Sequence, residues 1–221
     1  MPFAVITGAN RGIGLALAQA LRARGSNVLA ACRTGSAALR DLGVDVVDGI
    51  DVTEERGVER LAQAVGTRDI DLLINNAGIL IGGSSLDRFV PADIEKQFEV
   101  NALGPLRVTI ALRSRLKKGS KVGLVTSRMG SIDDNSSGGE YGYRMSKAAL
   151  NMAGKSLALD LKPRGVAVAL LHPGMVKTEM VGPYGQVEPA EAARGLLARL
   201  DELTLETSGG FWHANGQSLP W

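Results

Sequence analysis

Two residue types four positions apart carry the sharpest chemical signal in the chain: Tyr143 and Lys147, in Tyr143-Arg144-Met145-Ser146-Lys147. On a helix, side chains at that spacing share a face and meet. A phenol has a reference pKa of about 10. A neighbouring ammonium stabilises the phenolate, and a drop of about 2–3 units corresponds to about 3–4 kcal/mol. Such a group is an effective general acid near neutral pH. It suits a carbonyl that has just received a hydride and must take a proton on oxygen. Tyr141 competes for the role but has Met145, not lysine, four residues on. Ser127 closes the run Val125-Thr126-Ser127 and offers a hydroxyl to a substrate oxygen. Ser131 is the alternative serine, and a plain strand-end serine is the bland reading of Ser127.

A second constellation lies near the start. The apolar run Phe3-Ala4-Val5-Ile6 leads into Thr7-Gly8-Ala9-Asn10-Arg11-Gly12-Ile13-Gly14, and helical periodicity follows at once. Glycines permit a tight turn and close approach of a pyrophosphate, and a helix N-terminus offers free N–H groups and partial positive charge. Strand, glycine turn and helix in succession point to a dinucleotide. The spacing is T-G-x-x-x-G-x-G rather than G-x-G-x-x-G. An acid at the end of the second strand would hold a ribose 2′-hydroxyl and repel a 2′-phosphate. The run there is Ala31-Cys32-Arg33-Thr34, without an acid, and Arg33 offers a fork of donors. With Arg11 as a second cation, the expected cofactor is NADP(H) in preference to NAD(H).

Stepping from these residues to the elements that must hold them, short apolar runs alternate with amphipathic segments. Strands are expected at 3–6, 28–31, 44–47, 70–74, 122–125 and 166–171, with a last edge strand begun by Phe211-Trp212. Helical faces are marked by Ile13, Ala16, Leu17, Ala20 and Leu21, and by Val58, Leu61, Ala62 and Val65. Long helices are expected over 92–116, with Ile94, Phe98, Leu106 and Ile110 inward, and over 143–161. A further helix covers 189–200, with proline at its start. Strands without a polar face, alternating with helices, predict an α/β single-domain Rossmann-type doubly wound parallel sheet with helices on both faces. The polar 130–142 segment is a loop at the carboxyl end of the sheet, where ligands bind in this architecture. Residues 175–189 are the expected substrate loop.

The 221 residues hold one domain's worth of core, 1–221, with 45% hydrophobic and 22% charged residues. With 25 basic and 23 acidic residues, net charge is +2, which gives no case for nucleic acid or an acidic membrane as partner. Cys32 stands alone, so no internal disulfide forms, and it reads as a buried thiol. His172 and His213 lie far apart in sequence, with no metal-ligand spacing, so no metal is expected. Residues 3–6 read as a strand rather than a leader, and no apolar run of about 18 residues occurs. The expectation is a cytoplasmic protein.

Thr7 to Gly14, Asn75-Asn76-Ala77-Gly78 and the Tyr143/Lys147 pair together resemble the short-chain dehydrogenases/reductases over nearly the whole chain, from Val5 to about Thr178. The ending Gly209-Gly210-Phe211, Gly216 and Leu219-Pro220-Trp221 resembles the carbonyl-reductase-like, C-factor-like branch. The resemblance implies catalytic Ser127, Tyr143, Lys147 and Asn101, the last holding a water that links the lysine to solvent. It selects Ser127 over Thr126 and Ser131, although the 16-residue interval to Tyr143 is longer than in many relatives. For the cofactor it implies Gly8, Asn10, Arg11, Gly12, Ile13 and Gly14 at the pyrophosphate, and Asn75, Ala77 and Gly78 along the ribose and pyrophosphate. Asp51 and Val52 would flank the adenine, or Asp51 caps the helix entered at Thr53-Glu54. Lys147 would bind the ribose. Pro173, Gly174, Val176 and Thr178, in His172-Pro173-Gly174-Met175-Val176-Lys177-Thr178, would line the nicotinamide and pyrophosphate.

The implied activity is NADPH-dependent reduction of a small-molecule carbonyl, or oxidation of the alcohol. Met180 to Tyr184 would form a short lid, with Met129 on the opposite wall of an open cleft. The two long helices resemble the family's dimer-forming pair, so a homodimer or homotetramer is expected. The alternative is an NADP(H)-binding signalling protein of C-factor type with little turnover. An epimerase or dehydratase would need a larger substrate domain than this length allows.

Overall fold

The computed structural model describes residues 1–221. Its strands are β1 (Phe3–Thr7), β2 (Asn27–Ala31), β3 (Asp45–Val47), β4 (Ile70–Asn75), β5 (Leu116–Val125), β6 (Ala167–His172) and β7 (Gly210–His213). All pair in parallel, in the order β3-β2-β1-β4-β5-β6-β7. The order reverses between β1 and β4, and such a switch point opens a crevice above the strand ends. Every residue of β1 is buried, as expected of a central strand covered on both faces.

The helices are α1 (Gly12–Ala23), α2 (Ala37–Arg40), α3 (Glu55–Val65), α4 (Pro91–Phe98), α5 (Gly104–Leu112), α6 (Tyr141–Leu161) and α7 (Pro189–Glu202). One face of the sheet packs on α3, α5 and α6 around residues such as Leu61, Leu112, Leu124, Leu150 and Leu170. The other packs on α1 and α7 around Leu17, Ile74, Leu171, Leu196 and Leu197. Truncating one of these fully buried leucines to alanine would cost about 2–5 kcal/mol. Gly154 brings α6 down onto the sheet: a Cβ there would lie 2.6 Å from the Leu124 side chain. No helix is long and apolar enough to cross a membrane.

The expected long helix over 92–116 is broken. A turn of π-helix, Glu99–Leu103, separates α4 from α5, and Leu116 already belongs to β5. The extra residue in the π turn shifts the inward row by one position. Phe98 and Ile110, expected inside, are 37% and 46% exposed. Gln97, Asn101, Val108, Thr109 and Leu112 are buried instead. Two of these are amides, invisible to an apolar periodicity. Both fasten the segment after β4: Gln97 accepts from the Ile81 N–H (3.0 Å) and Asn101 from the Ile79 N–H (2.8 Å).

The start of β5 was obscured by Lys117-Lys118-Gly119-Ser120. Its register slips there against β4, and the Ser120 hydroxyl donates to the Ile70 carbonyl (2.6 Å) across the irregularity.

Candidate active site

The crevice above the strand ends is a cleft of about 1320 Å³. One end is built by the turn between β1 and α1. Gly8 and Gly12 have φ of +65° and +54°, values side-chain-bearing residues rarely adopt. A Cβ on Gly14 would lie 2.1 Å from the Gly8 carbonyl oxygen, and one on Gly8 2.8 Å from the Ala77 Cα. The turn is thus closed on itself and on the segment after β4. Arg11 precedes α1 with no side-chain cap, and the first turn of α1 has no acid. Its free N–H groups and partial positive charge border the cleft, where the Glu179 carboxylate pairs with the Arg11 guanidinium beside them.

Gly8, Asn10, Arg11, Gly12, Ile13 and Gly14 all line the cleft, with Arg33, Asp51, Val52, Ala77 and Gly78. Asp51 does not cap α3, which starts at Glu55 behind an uncapped Glu54. Its carboxylate accepts from the Thr53 N–H (2.9 Å) and hydroxyl (2.7 Å). Burial raises its pKa, but the Thr53 bonds and nearby Arg33 outweigh that and hold it below the usual value.

Asn75 is a correction. Its side chain is buried under the sheet, donating to the Thr109 hydroxyl (3.0 Å), and is not part of the cleft wall. Neighbouring Asn76 lines the cleft and donates to the carbonyls of Thr7 (3.1 Å) and Gly8 (3.0 Å). Alternation along β4 decides this: residue 75 faces the helix layer, and the chain turns outward only after it.

At the other end, α6 presents Tyr143 and Lys147 to the same cleft, beside Ser127 at the end of β5. Lys147 is buried, and its Nζ donates to the Val125 carbonyl (2.9 Å) and lies 5.7 Å from the centre of the Tyr143 ring. Burial holds this ammonium down to about 8. Burial also pushes the Tyr143 phenol up to about 12, against the opposite pull of the Ser127 hydroxyl. Burial sets the direction for the phenol, and the expected depression by the ammonium does not occur in the chain by itself. At neutral pH the proton stays on Tyr143.

Ser131 is drawn elsewhere. Its hydroxyl donates to the Trp221 carbonyl (3.0 Å) and accepts from the Asp134 N–H (3.1 Å), outside the cleft. Tyr141 does not line the cleft. Asn101 is fully buried in the π turn. Its amide N–H groups go to the Ile79 carbonyl (2.8 Å) and the Ser146 hydroxyl (3.0 Å), so its side chain braces the site rather than facing it.

The segment after β6 closes the cleft. Pro173, Gly174, Val176 and Thr178 line it, and Val176 bridges to Val187 so that 175–187 folds back on itself. Met180 and Val181 reach the cleft from this loop and Met129 from the 128–140 loop, whereas 182–184, the rest of the expected lid, do not line it. Sequence reasoning missed Arg128 and Asp134, an ion pair on the same wall, and the facing His172. The His172 imidazole is held neutral, down to about 4, chiefly by burial and by His213, whose ring lies 5.0 Å away. Neither histidine joins a metal-binding group, and no cluster of three or more potential metal ligands occurs.

The turn fits a dinucleotide: glycines packed too closely for a Cβ, an uncapped helix start and two arginines, Arg11 and Arg33. Comparison with known proteins agrees. The short chain dehydrogenase family matches residues 2–188, and the chain belongs to that family. It is 42% identical over 231 aligned positions, covering all of both chains, to 1-hydroxy-2-glutathionyl-2-methyl-3-butene dehydrogenase of Rhodococcus sp. (strain AD45). It is 47% identical over 162 positions to C-signal of Myxococcus xanthus, covering 72% of this chain and 98% of that one. The NADPH-bound carbonyl reductase from chicken fatty liver superposes with a TM-score of 0.91 at 29% identity, covering 100% of this chain and 99% of that one.

Proposed function

We propose that the protein reduces a ketone or aldehyde to an alcohol with NADPH, Tyr143 giving the proton. The observation that carries this reading is the half-buried Tyr143 and buried Lys147 opening into the same cleft as the glycine turn. NADPH, when bound, supplies the hydride. The turn residues 8–14 and the start of α1 hold its pyrophosphate, Arg33 and Arg11 its 2′-phosphate, and Asp51 and Val52 flank its adenine. Ala77 and Gly78, with Asn76, border the ribose, which Lys147 also binds. Pro173, Gly174, Val176 and Thr178 border the nicotinamide.

Ser127 orients the carbonyl oxygen beside Tyr143. A phenol that keeps its proton to about 12 is loaded as a donor at neutral pH, which favours the reductive direction. As the proton leaves, the Lys147 ammonium stabilises the phenolate it faces. Asn101 acts as a positioning residue, bracing Ile79 against α6 through Ser146.

The test is NADPH oxidation over a panel of ketones, aldehydes and quinones. Tyr143→Phe is expected to cut turnover about 100-fold or more while NADPH binding is retained. Full turnover in that variant removes the proposed acid. The likeness to C-signal favours one second reading, a nucleotide-binding signalling protein. Tight NADPH binding without turnover across the panel would select it. The intact proton-donor set weighs against it.

A homo-oligomer is part of the proposal. Met145, Met152 and Leu159 recur every seven residues on α6 and are 53%, 69% and 63% exposed, an apolar stripe that a second copy would cover. Solution mass is expected to show at least a dimer, reduced to monomer by Met152→Glu with Leu159→Glu.

A further inference from the structure

The sequence places no acid at the end of β2, yet the fold brings one there from β3. Asp48 follows β3 by one residue and lies along the 32–35 segment. The Gly49 N–H donates to the Arg33 carbonyl (3.0 Å) and the Ile50 N–H to the Cys32 carbonyl (3.0 Å). The Asp48 carboxylate accepts from the Gly35 N–H (2.5 Å) through Oδ1, with the Cys32 Sγ 3.8 Å from the same oxygen. Arg33 and Thr34, between those contacts, line the cleft where the 2′-phosphate is proposed to sit. A carboxylate at that place favours a free 2′-hydroxyl and opposes a phosphate. Here it is occupied. Arg40, the last residue of α2, donates from Nη2 to Asp48 Oδ2 (2.5 Å). The same loop is tied to the glycine turn, the Ser36 hydroxyl donating to the Asn10 carbonyl (2.7 Å).

We propose that Arg40 neutralises Asp48 and so keeps the Arg33–Gly35 loop receptive to a 2′-phosphate. Both are positioning residues for cofactor selectivity, outside the cleft wall and acting through the loop. Asp48 shapes the loop by accepting from Gly35, and Arg40 cancels the charge that this acceptor brings. Selectivity for NADP(H) therefore needs more than the cations that face the phosphate. It needs a third arginine, on the far side of the loop, to silence a carboxylate. The inference rests on the NADP reading above and extends it.

The experiment measures dissociation constants of NADPH and NADH for the wild type, Arg40→Gln, Asp48→Asn and the double variant. Arg40→Gln is expected to lower the NADPH-over-NADH preference by about five- to tenfold, as an exposed like charge set near a phosphate would. The double variant is expected to recover it, because asparagine keeps the acceptor for Gly35 without the charge. Asp48→Asn alone is expected to hold or raise the preference. An unchanged ratio in Arg40→Gln, an equal loss for both nucleotides, or no recovery in the double variant overturns the inference. So does a reduced ratio in Asp48→Asn. A wild type that prefers NADH sinks the NADP reading itself, and that result is separate, because the effect of Arg40→Gln on the ratio is still read.

Discussion

The two ends of the cleft are built by different means. The nucleotide end is made of backbone: a turn of eight consecutive residues, helical N–H groups and glycines packed until a single methyl would collide. The end proposed for the substrate is made of side chains that arrive from far apart. Met129, Arg128 and Asp134 come from the 128–140 loop and Met180 and Val181 from the loop after β6. That wall loop is itself pinned from a third direction: the Ile132 and Asp133 N–H groups donate to the Trp221 carbonyl (3.0 and 2.9 Å). Trp221 in turn stacks on Phe211 of β7. On the proposed reading, a backbone cradle holds the nucleotide that every turnover uses and tolerates little change, while a side-chain wall selects the substrate and tolerates much.

The largest effect expected from this contrast is at Gly14. Gly14→Ala must displace the Gly8 carbonyl, and nucleotide affinity should fall about 100-fold, with loss of soluble protein as the equivalent outcome. Nucleotide titration and yield check it, and near-normal affinity would show the cradle to be pliable. Ser127→Ala should lower turnover by about 100-fold with nucleotide binding unchanged. Ser131→Ala should instead cost about 1 kcal/mol of stability, read as a drop of about 2–4 °C in Tm, with turnover largely kept. Reversal of that pair would exchange the roles of the two serines.

Lys147 comes next. Its folded pKa, about 8, lies below the ordinary 10.5. Its charge is present below pH 8 and lost above, so NADPH affinity should fall as pH rises through about 8, and Lys147→Met should abolish that step. Burying the ammonium costs stability most below pH 8, and the cost fades toward pH 10.5. Lys147→Met should therefore raise Tm at pH 7 by about 2–8 °C, with the gain vanishing in alkali. Calorimetry across that range checks the sign. The smallest effect is expected at the lid, where Met180→Ala should change substrate KM by about threefold and leave the nucleotide constant alone.

Legibility followed the same divide. The glycine turn, the Tyr143–Lys147 spacing and the strand–helix alternation that implies a parallel sheet were readable because each depends on residues close in sequence. The choice of Asn75 over Asn76 failed because strand alternation decides which amide faces the cleft, and the strand's last residue was not fixed by its composition. The inward row of α4 and α5 failed because buried Gln97 and Asn101 carry no apolar signal. Asp48 was missed for a third reason: it meets Cys32 and Gly35 only through the pairing of β3 with β2, which no local pattern encodes.

The π turn at Glu99–Leu103 has a consequence for how this helix tolerates change. A wide turn is one residue out of step with both neighbours, so the parts on either side are phased independently. Deleting a single residue there would restore an uninterrupted spiral, leaving α4 and α5 facing much as they do but removing the widened turn that carries Asn101. Asn101 would leave Ile79 and Ser146, and the floor beneath Lys147 would lose its brace. Point substitutions can be absorbed along the outer surface of this stretch, but a change in its length cannot.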